Sequence, residues 1–319
     1  MDIPPVTPGY KALREHAAWL DVSGRGKIVV RGDDRARLLH AMTTNQVQEL
    51  EPGSGCYVFF LNAQGRILAD ANLLVFPDHI LLDTEPETRQ KVFEHLDRYI
   101  IADDVTLEDA TERIATLALE GPEAAAVLAR LGAPAPEAAC SWLAWGARTV
   151  VRVSVAGSGG FLLLAPAAER EALRTELSAA GVWPAAAAEM RIVRLENGRP
   201  RYGEEITERY LVQETAQMHA VHFSKGCYLG QEIVERVRSR GQVHRILRRL
   251  EIDTAEVPAA GTKLKSGEAD AAEIASAAFS PALGKTTALA YVRTQFAEPG
   301  TEMRLPGLPA VARVSSLSR

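Results

Sequence analysis

Cysteine is scarce in this 319-residue chain: Cys56, Cys140 and Cys227 lie far apart and form no C-x-x-C pair. That excludes a disulfide framework and a self-contained zinc or cluster-ligating site, and it suits a reducing compartment. Long apolar runs are also missing. No segment approaches the roughly 20 apolar residues of a membrane span, and Met1-Asp2-Ile3-Pro4-Pro5 has neither the basic flank nor the apolar run of a signal peptide. The expectation is a cytoplasmic protein with no membrane partner. Positive charge is in deficit too, with 36 Lys and Arg against 41 Asp and Glu and a formal net charge of −5. A non-specific nucleic-acid coat needs the opposite balance, so direct nucleic-acid binding is not expected, although a local basic patch stays open.

What the chain does have is apolar content, 47% by residue, enough for a sizeable core and, at this length, two or three domains. A helical stretch around Tyr10 to Trp19 is followed by a strand at Lys27 to Arg31, and Gly32-Asp33-Asp34 supplies a turn with carboxylates able to cap the next helix. Two strands, Cys56 to Leu61 and Ile67 to Phe76, flank the turn-rich Asn62-Ala63-Gln64-Gly65, which predicts a hairpin with Asp70 in its second strand. His79 to Asp83 reads as a strand and Glu87 to Ile101 as a helix. From about residue 111 to 190, β-rich runs alternate with two helices in an Ala-rich stretch. Gly157-Ser158-Gly159-Gly160 resembles a phosphate loop only superficially, because no Lys follows and a strand comes next; a turn is the better reading. Beyond Arg245, short β-like runs between Gly and Pro turns favour a small barrel or sandwich. The expected division is 1–243, an α+β region, and 244–319, a small β domain.

The densest chemistry lies in Lys225-Gly226-Cys227-Tyr228-Leu229-Gly230-Gln231-Glu232. Two glycines, a thiol, an aromatic ring, an amide and a carboxylate share eight positions, and a helix is expected from Gln231 through Val237. A lysine and a helix N-terminus beside Cys227 form a setting that lowers a thiol pKa; the alternative is a small buried filler between structural glycines. Arg236, Arg238, Arg240, Arg245, Arg248 and Arg249 with His244 make the one dense basic run. It suits either a polyglutamate tail or an RNA backbone, or else is a solvated helix face and linker. In Arg194 to Glu205, Glu196 could accept both hydrogen bonds of a pterin edge or could pair with a neighbouring arginine. His219-x-x-His222 is a weak metal spacing, and no metal site is expected.

Lys225 to Glu232, continued to Arg236, resembles the K-G-C-[FY]-x-G-Q-E-x-x-x-R signature of the YgfZ-type branch of the glycine-cleavage T-protein superfamily. Val30 to Val47, Asn62 to Ile67 and Arg194 to Glu205 are similar to other superfamily segments, so the resemblance spans nearly the whole chain. It implies three subdomains in a ring around a central folate site, the first two interwoven α+β units and the third a C-terminal β-barrel. It implies tetrahydrofolate or a one-carbon derivative as cofactor, and an accessory role in assembling or repairing iron-sulfur enzymes, including tRNA-modifying ones, with those enzymes or their assembly factors as partners. The aminomethyltransferases of the same superfamily carry paired aspartates where this chain has Ala69-Asp70. Folate-dependent aminomethyl transfer from a lipoyl carrier protein is therefore the alternative. On this resemblance Cys227 and Asp70 are the candidate catalytic residues, and Glu196, Tyr202, Lys225, Tyr228, Gln231 and Arg236 the candidates for holding the folate.

Overall fold

The computed structural model describes residues 6–315 apart from positions 242 and 308. In chain order the regular elements begin with α1 (Pro8–Glu15), β1 (Ala18–Asp21), β2 (Gly26–Arg31), α2 (Arg35–Met42), β3 (Gly55–Leu61), β4 (Ile67–Val75), β5 (Ile80–Thr84), α3 (Arg89–Asp97) and β6 (Thr106–Asp109). They continue with β7 (Ile114–Glu120), α4 (Ala124–Arg130), β8 (Trp142–Trp145), β9 (Arg148–Val151), β10 (Phe161–Pro166), α5 (Arg170–Ala179), β11 (Trp183–Pro184), α6 (Ala187–Glu196) and α7 (Gln231–Arg240). The last are β12 (Arg245–Ile252), β13 (Lys263–Ser266), β14 (Ala269–Ser280), β15 (Lys285–Arg293), β16 (Glu302–Arg304) and β17 (Val311–Val314).

Three sheets organise them. One has the order β11-β1-β7-β10-β9-β8, a second β3-β4-β5-β2-β6, and the third closes as a barrel, β12-β15-β14-β13-β16-β17. The first sheet starts with β1, is interrupted by the whole of the second, and resumes at β7, so two α+β subdomains are interwoven as expected. Closure of the third sheet settles the barrel-or-sandwich alternative in favour of the barrel, which leaves no free edge strand. Among the described residues no helix is long and apolar enough to cross a membrane.

Strand periodicity explains how the second sheet packs on both sides. Along β4, Ala69, Ala71, Leu73 and Val75 point into one core with Leu38, Leu39, Val92 and Leu96 of α2 and α3. The intervening Leu74 joins Val29 and Leu81 against Val151, Leu162 and Leu164 of the first sheet. With a side-chain period of two, Asp70 and Asn72 share the face of Leu74, looking towards the first sheet.

Several local expectations are corrected. Trp19 lies in β1, not in a helix, and pairs with Leu119. Asp34 does not cap α2; its carboxylate accepts from the backbone amide of Asp104 at 2.9 Å and from Arg37 Nε at 3.1 Å. The helix expected from Glu87 to Ile101 is regular only over Arg89–Asp97. Ile101 is 89% exposed, so extending the helix would bury nothing. As expected, by contrast, Gly157 to Gly160 form a turn between the antiparallel neighbours β9 and β10, and it wraps a carboxylate of the chain itself. Glu120 accepts there from Ser154 Oγ at 2.6 Å, Ser158 Oγ at 2.8 Å and the Val155 amide at 2.5 Å.

Candidate functional site

The face of the second sheet that meets the first is apolar at one end and polar at the other. Register places Tyr57 opposite Asn72, Asn72 opposite Asp83, and Asp83 opposite Lys27. A cavity of about 490 Å³ opens there, within the usual size of small-molecule sites. Leu20, Val22, Val153, Val155 and Met190 form its apolar walls, while Tyr57, Asp70, Asn72 and Arg199 are among its polar ones.

Asp70 is only 7% exposed, and its Oδ2 accepts from Tyr57 Oη at 2.6 Å. Burial, and then the charge of Glu85, push its pKa up to about 7; the Tyr57 hydrogen bond, Arg25 and Arg199 oppose that rise. A carboxyl group that exchanges its proton near neutrality is suited to acid–base work. Around it the charges are largely paired. Arg25 grips Asp83 through Nε and Nη2 at 3.0 and 2.9 Å and also meets Glu85. Burial alone would raise Asp83, but Arg25 and Lys27 hold it below the ordinary carboxylate value. Arg201 binds Glu85 at 2.9 Å, and Arg194 binds Glu205 bidentately at 2.8 and 2.9 Å.

The other expected site residues are elsewhere. Glu196, at the end of α6, is buried outside the cavity lining. Its carboxylate accepts from Tyr10 Oη, from Arg14 Nη1 at 2.8 Å and from Ser280 Oγ at 2.5 Å, tying α1, α6 and the barrel together. Glu196 does pair with an arginine, but it is Arg14, 182 residues away, and not one of the neighbours in Arg194 to Glu205. Lys225 is 7% exposed and turns its ammonium to the carbonyls of His40, Thr43 at 2.7 Å and Asn45 at 2.8 Å, closing the C-terminus of α2. Burial pulls its pKa down to about 7, whereas three accepting carbonyls at a helix C-terminus favour the ammonium.

Cys227 is exposed and does not line the cavity, and Lys225 is directed to carbonyls rather than to the thiol. Tyr202 and Tyr228 are buried together with Phe59, Leu61 and Ile67, and Tyr202 Oη reaches the Ile67 carbonyl at 3.4 Å. Gln231 Oε1 accepts from the Tyr228 amide at 3.2 Å, and Arg236 is exposed on α7. Gly230 shows why the segment is built this way: at φ +82° it lies so close to the hairpin turn that a Cβ would stand 2.6 Å from the Asn62 carbonyl oxygen. Lys225 to Glu232 therefore clasps α2 and the Asn62 to Arg66 turn, which fixes β3 and β4. The basic run is divided: Arg236, Arg238 and Arg240 are exposed on α7, whereas Arg245 pairs with Glu214 and Arg249 donates to the Glu196 carbonyl. His219 stacks on Tyr57 with ring centroids 5.4 Å apart, and no metal-holding group occurs among the described residues.

Of the expected residues, then, Asp70 alone lines the cavity. Sequence reasoning missed Tyr57, Asn72, Arg25 and Glu85. Tyr57 and Asn72 carry a signal, since hairpin register puts them on the face of Asp70; Arg25 and Glu85 reach it only through the β2–β5 pairing.

Comparison with known proteins accords with this architecture. Residues 4–225 match the GCVT N-terminal domain, and residues 245–316 the glycine cleavage T-protein C-terminal barrel domain. The aminomethyltransferase of Rubrobacter xylanophilus is 30% identical over 315 residues, 97% of this chain and 84% of that protein. A putative chloroplastic transferase of Arabidopsis thaliana is 30% identical over 225 residues, 68% of this chain and 52% of that protein. The crystal structure of glycine cleavage system aminomethyltransferase T from Bartonella henselae superposes with a TM-score of 0.88 at 24% identity, covering 98% of this chain and 88% of that one, which shows the shared fold. The chain belongs to the glycine cleavage T-protein family.

Proposed function

We propose that the chain binds a reduced folate in the cavity around Asp70 and performs folate-dependent transfer of an aminomethyl group. The observation that carries this is Asp70 itself, a buried carboxyl with a pKa near 7 on the wall of a cavity sized for a small molecule. The lining fits such a ligand, with apolar walls for a flat ring, a carboxyl group for its polar edge, and Arg199 for an anionic tail. When bound, a folate supplies the nitrogens that accept or release the one-carbon unit. Tyr57 orients Asp70 and stabilises its ionised form, and Asp70, 7% exposed on the cavity wall, holds or gives up the proton at its carboxyl group. Several relatives bear the name aminomethyltransferase, which supports this reading over an accessory role. Nor does the single aspartate weigh against it. Residue 69 points to the opposite face, into the core with α2 and α3, so Asp70 is the member of the pair that faces the cavity.

A second reading is favoured by Lys225 to Glu232: a folate-binding accessory protein for assembly or repair of iron-sulfur enzymes, with exposed Cys227 meeting a partner. Either activity is assigned to the cytoplasm, in keeping with three dispersed free cysteines. Incubating the protein with tetrahydrofolate and an aminomethyl-lipoyl carrier separates the two. Formation of methylene-tetrahydrofolate, lost in Asp70→Asn, supports the transferase. Folate binding without turnover, together with failure of Cys227→Ser to restore iron-sulfur enzyme activity in a deletion strain, supports the accessory role. A wild-type protein that binds no reduced folate defeats both.

A further inference from the structure

Five arginines line the cavity, and four of them are committed to carboxylates of the chain: Arg25 to Asp83 and Glu85, Arg191 to Glu204, Arg194 to Glu204 and Glu205, Arg201 to Glu85 and Glu87. The fifth, Arg199, forms no ion pair and donates no side-chain hydrogen bond among the described residues. We propose that Arg199 is the carboxylate-binding residue of this cavity and that the ligand beside Asp70 presents a carboxylate to it.

The backbone around Arg199 is fixed rather than loose. Gly198, with φ +67°, ends α6 in a Schellman arrangement: the Gly198 amide bonds the Leu195 carbonyl, and the Arg199 amide bonds the Arg194 carbonyl, each at 3.0 Å. Arg194 Nη1 returns a hydrogen bond to the Arg199 carbonyl at 2.6 Å. Gly157, at φ +72°, packs against this corner: a Cβ there would lie 3.2 Å from Asn197 Cβ and 3.3 Å from Arg199 Cβ. The Gly-rich turn thus packs against the stem of Arg199.

Electrostatics confines an anionic ligand group to the neighbourhood of Arg199. Asp70, Glu85 and Glu204 line the same cavity, so a carboxylate entering it meets negative charge and needs a cation free to accept it. Arg199 supplies one, with a planar fork matched to a carboxylate. Its charge also reaches Asp70 and Tyr57, which places the anion close to the proton-exchanging group. Two sources share this chemistry: the glutamate tail of a folate, or a separate small carboxylate bound beside it. The inference rests on the folate reading only for the first source.

Calorimetric titrations of wild type, Arg199→Gln and Arg199→Lys with four probes decide it: tetrahydrofolate, tetrahydropteroate (which lacks the glutamate), glycine and acetate. If the folate tail is the partner, Arg199→Gln weakens tetrahydrofolate about tenfold to a hundredfold, the loss expected for a hydrogen bond to a charged group, and leaves tetrahydropteroate unchanged. If a separate carboxylate is the partner, the same loss falls on glycine or acetate and both folates bind as before. Arg199→Lys recovers part of the affinity in either case, and the Nε resonance of Arg199 shifts on binding. Equal affinity of wild type and Arg199→Gln for all four probes overturns the proposal, as does a wild type that binds none. A wild type that binds neither folate sinks the folate reading alone, because glycine and acetate still test Arg199.

Discussion

Tyr57 Oη donates to Asp70 Oδ2 at 2.6 Å across the β3–β4 hairpin, from a position one diagonal step away in register. The bond stabilises the ionised carboxylate, so its removal raises a pKa that burial has already lifted to about 7. In Tyr57→Phe the Asp70 transition moves up by about one to two pH units, the equivalent of one hydrogen bond to a charged group. Carbon-13 NMR of the Asp70 carboxyl measures it directly; an unmoved transition would mean that the hydroxyl does not tune the site.

Asp70 also leaves a mark on stability. The unfolded aspartate titrates near 3.9 and the native one near 7, so between these values the native state holds a proton that the unfolded chain has lost. Stability therefore falls as pH rises through that window, and the full cost is present above pH 7. Asp70→Asn removes the cost, giving a gain of about 1–3 kcal/mol at pH 8 that shrinks towards pH 5. Urea unfolding of both proteins at the two pH values checks this, and a gain independent of pH contradicts it.

Lys225→Met withdraws three hydrogen bonds from the carbonyls of His40, Thr43 and Asn45 in a buried position. The expected loss is about 2–4 kcal/mol, because orphaned buried acceptors cost more than the bonds contributed. Guanidinium unfolding midpoints give the value. A loss under about 0.5 kcal/mol would remove Lys225 from the clasp that holds α2.

Glu196→Gln discriminates architecture from ligand recognition. With Tyr10, Arg14 and Ser280 all directed at its carboxylate, the substitution is expected to lower stability by about 1–3 kcal/mol while the folate Kd stays within a factor of two or so of wild type. Thermal unfolding and calorimetry on the same preparation separate the effects. A large loss of folate affinity in a stably folded Glu196→Gln would return this residue to the pterin site.

Much of the fold could be read from local pattern. The alternation in Ile67 to Val75, the turn chemistry of Asn62 to Gly65, the helix after Gln231 and the Gly-punctuated β runs beyond Arg245 all rest on interactions within a few residues. Local pattern places Asp70 in its strand, but it is the resemblance to the paired aspartates of the aminomethyltransferases that makes it a candidate. Glu196 lies in a cluster rich in arginines, yet its partners come from 186, 182 and 84 residues away, which no local pattern announces. Lys225 looked like the activator of a nearby thiol, yet three carbonyls of the α2 terminus outcompete a solvent-facing sulfur for a buried ammonium.

The sequence by itself determined most of the elements, the hairpin that carries Asp70 and the resemblance carried by Lys225 to Glu232, because periodicity and turn chemistry act over short separations. Only the tertiary structure decided which charges cancel. Whether an arginine or a carboxylate is spent on the chain or left for a ligand depends on partners brought together by the β2–β5 pairing, the sheet–sheet contact and the docking of α1 on α6. That is why Asp70 and Arg199 remain facing the cavity while Glu196 and Lys225 are taken into the framework.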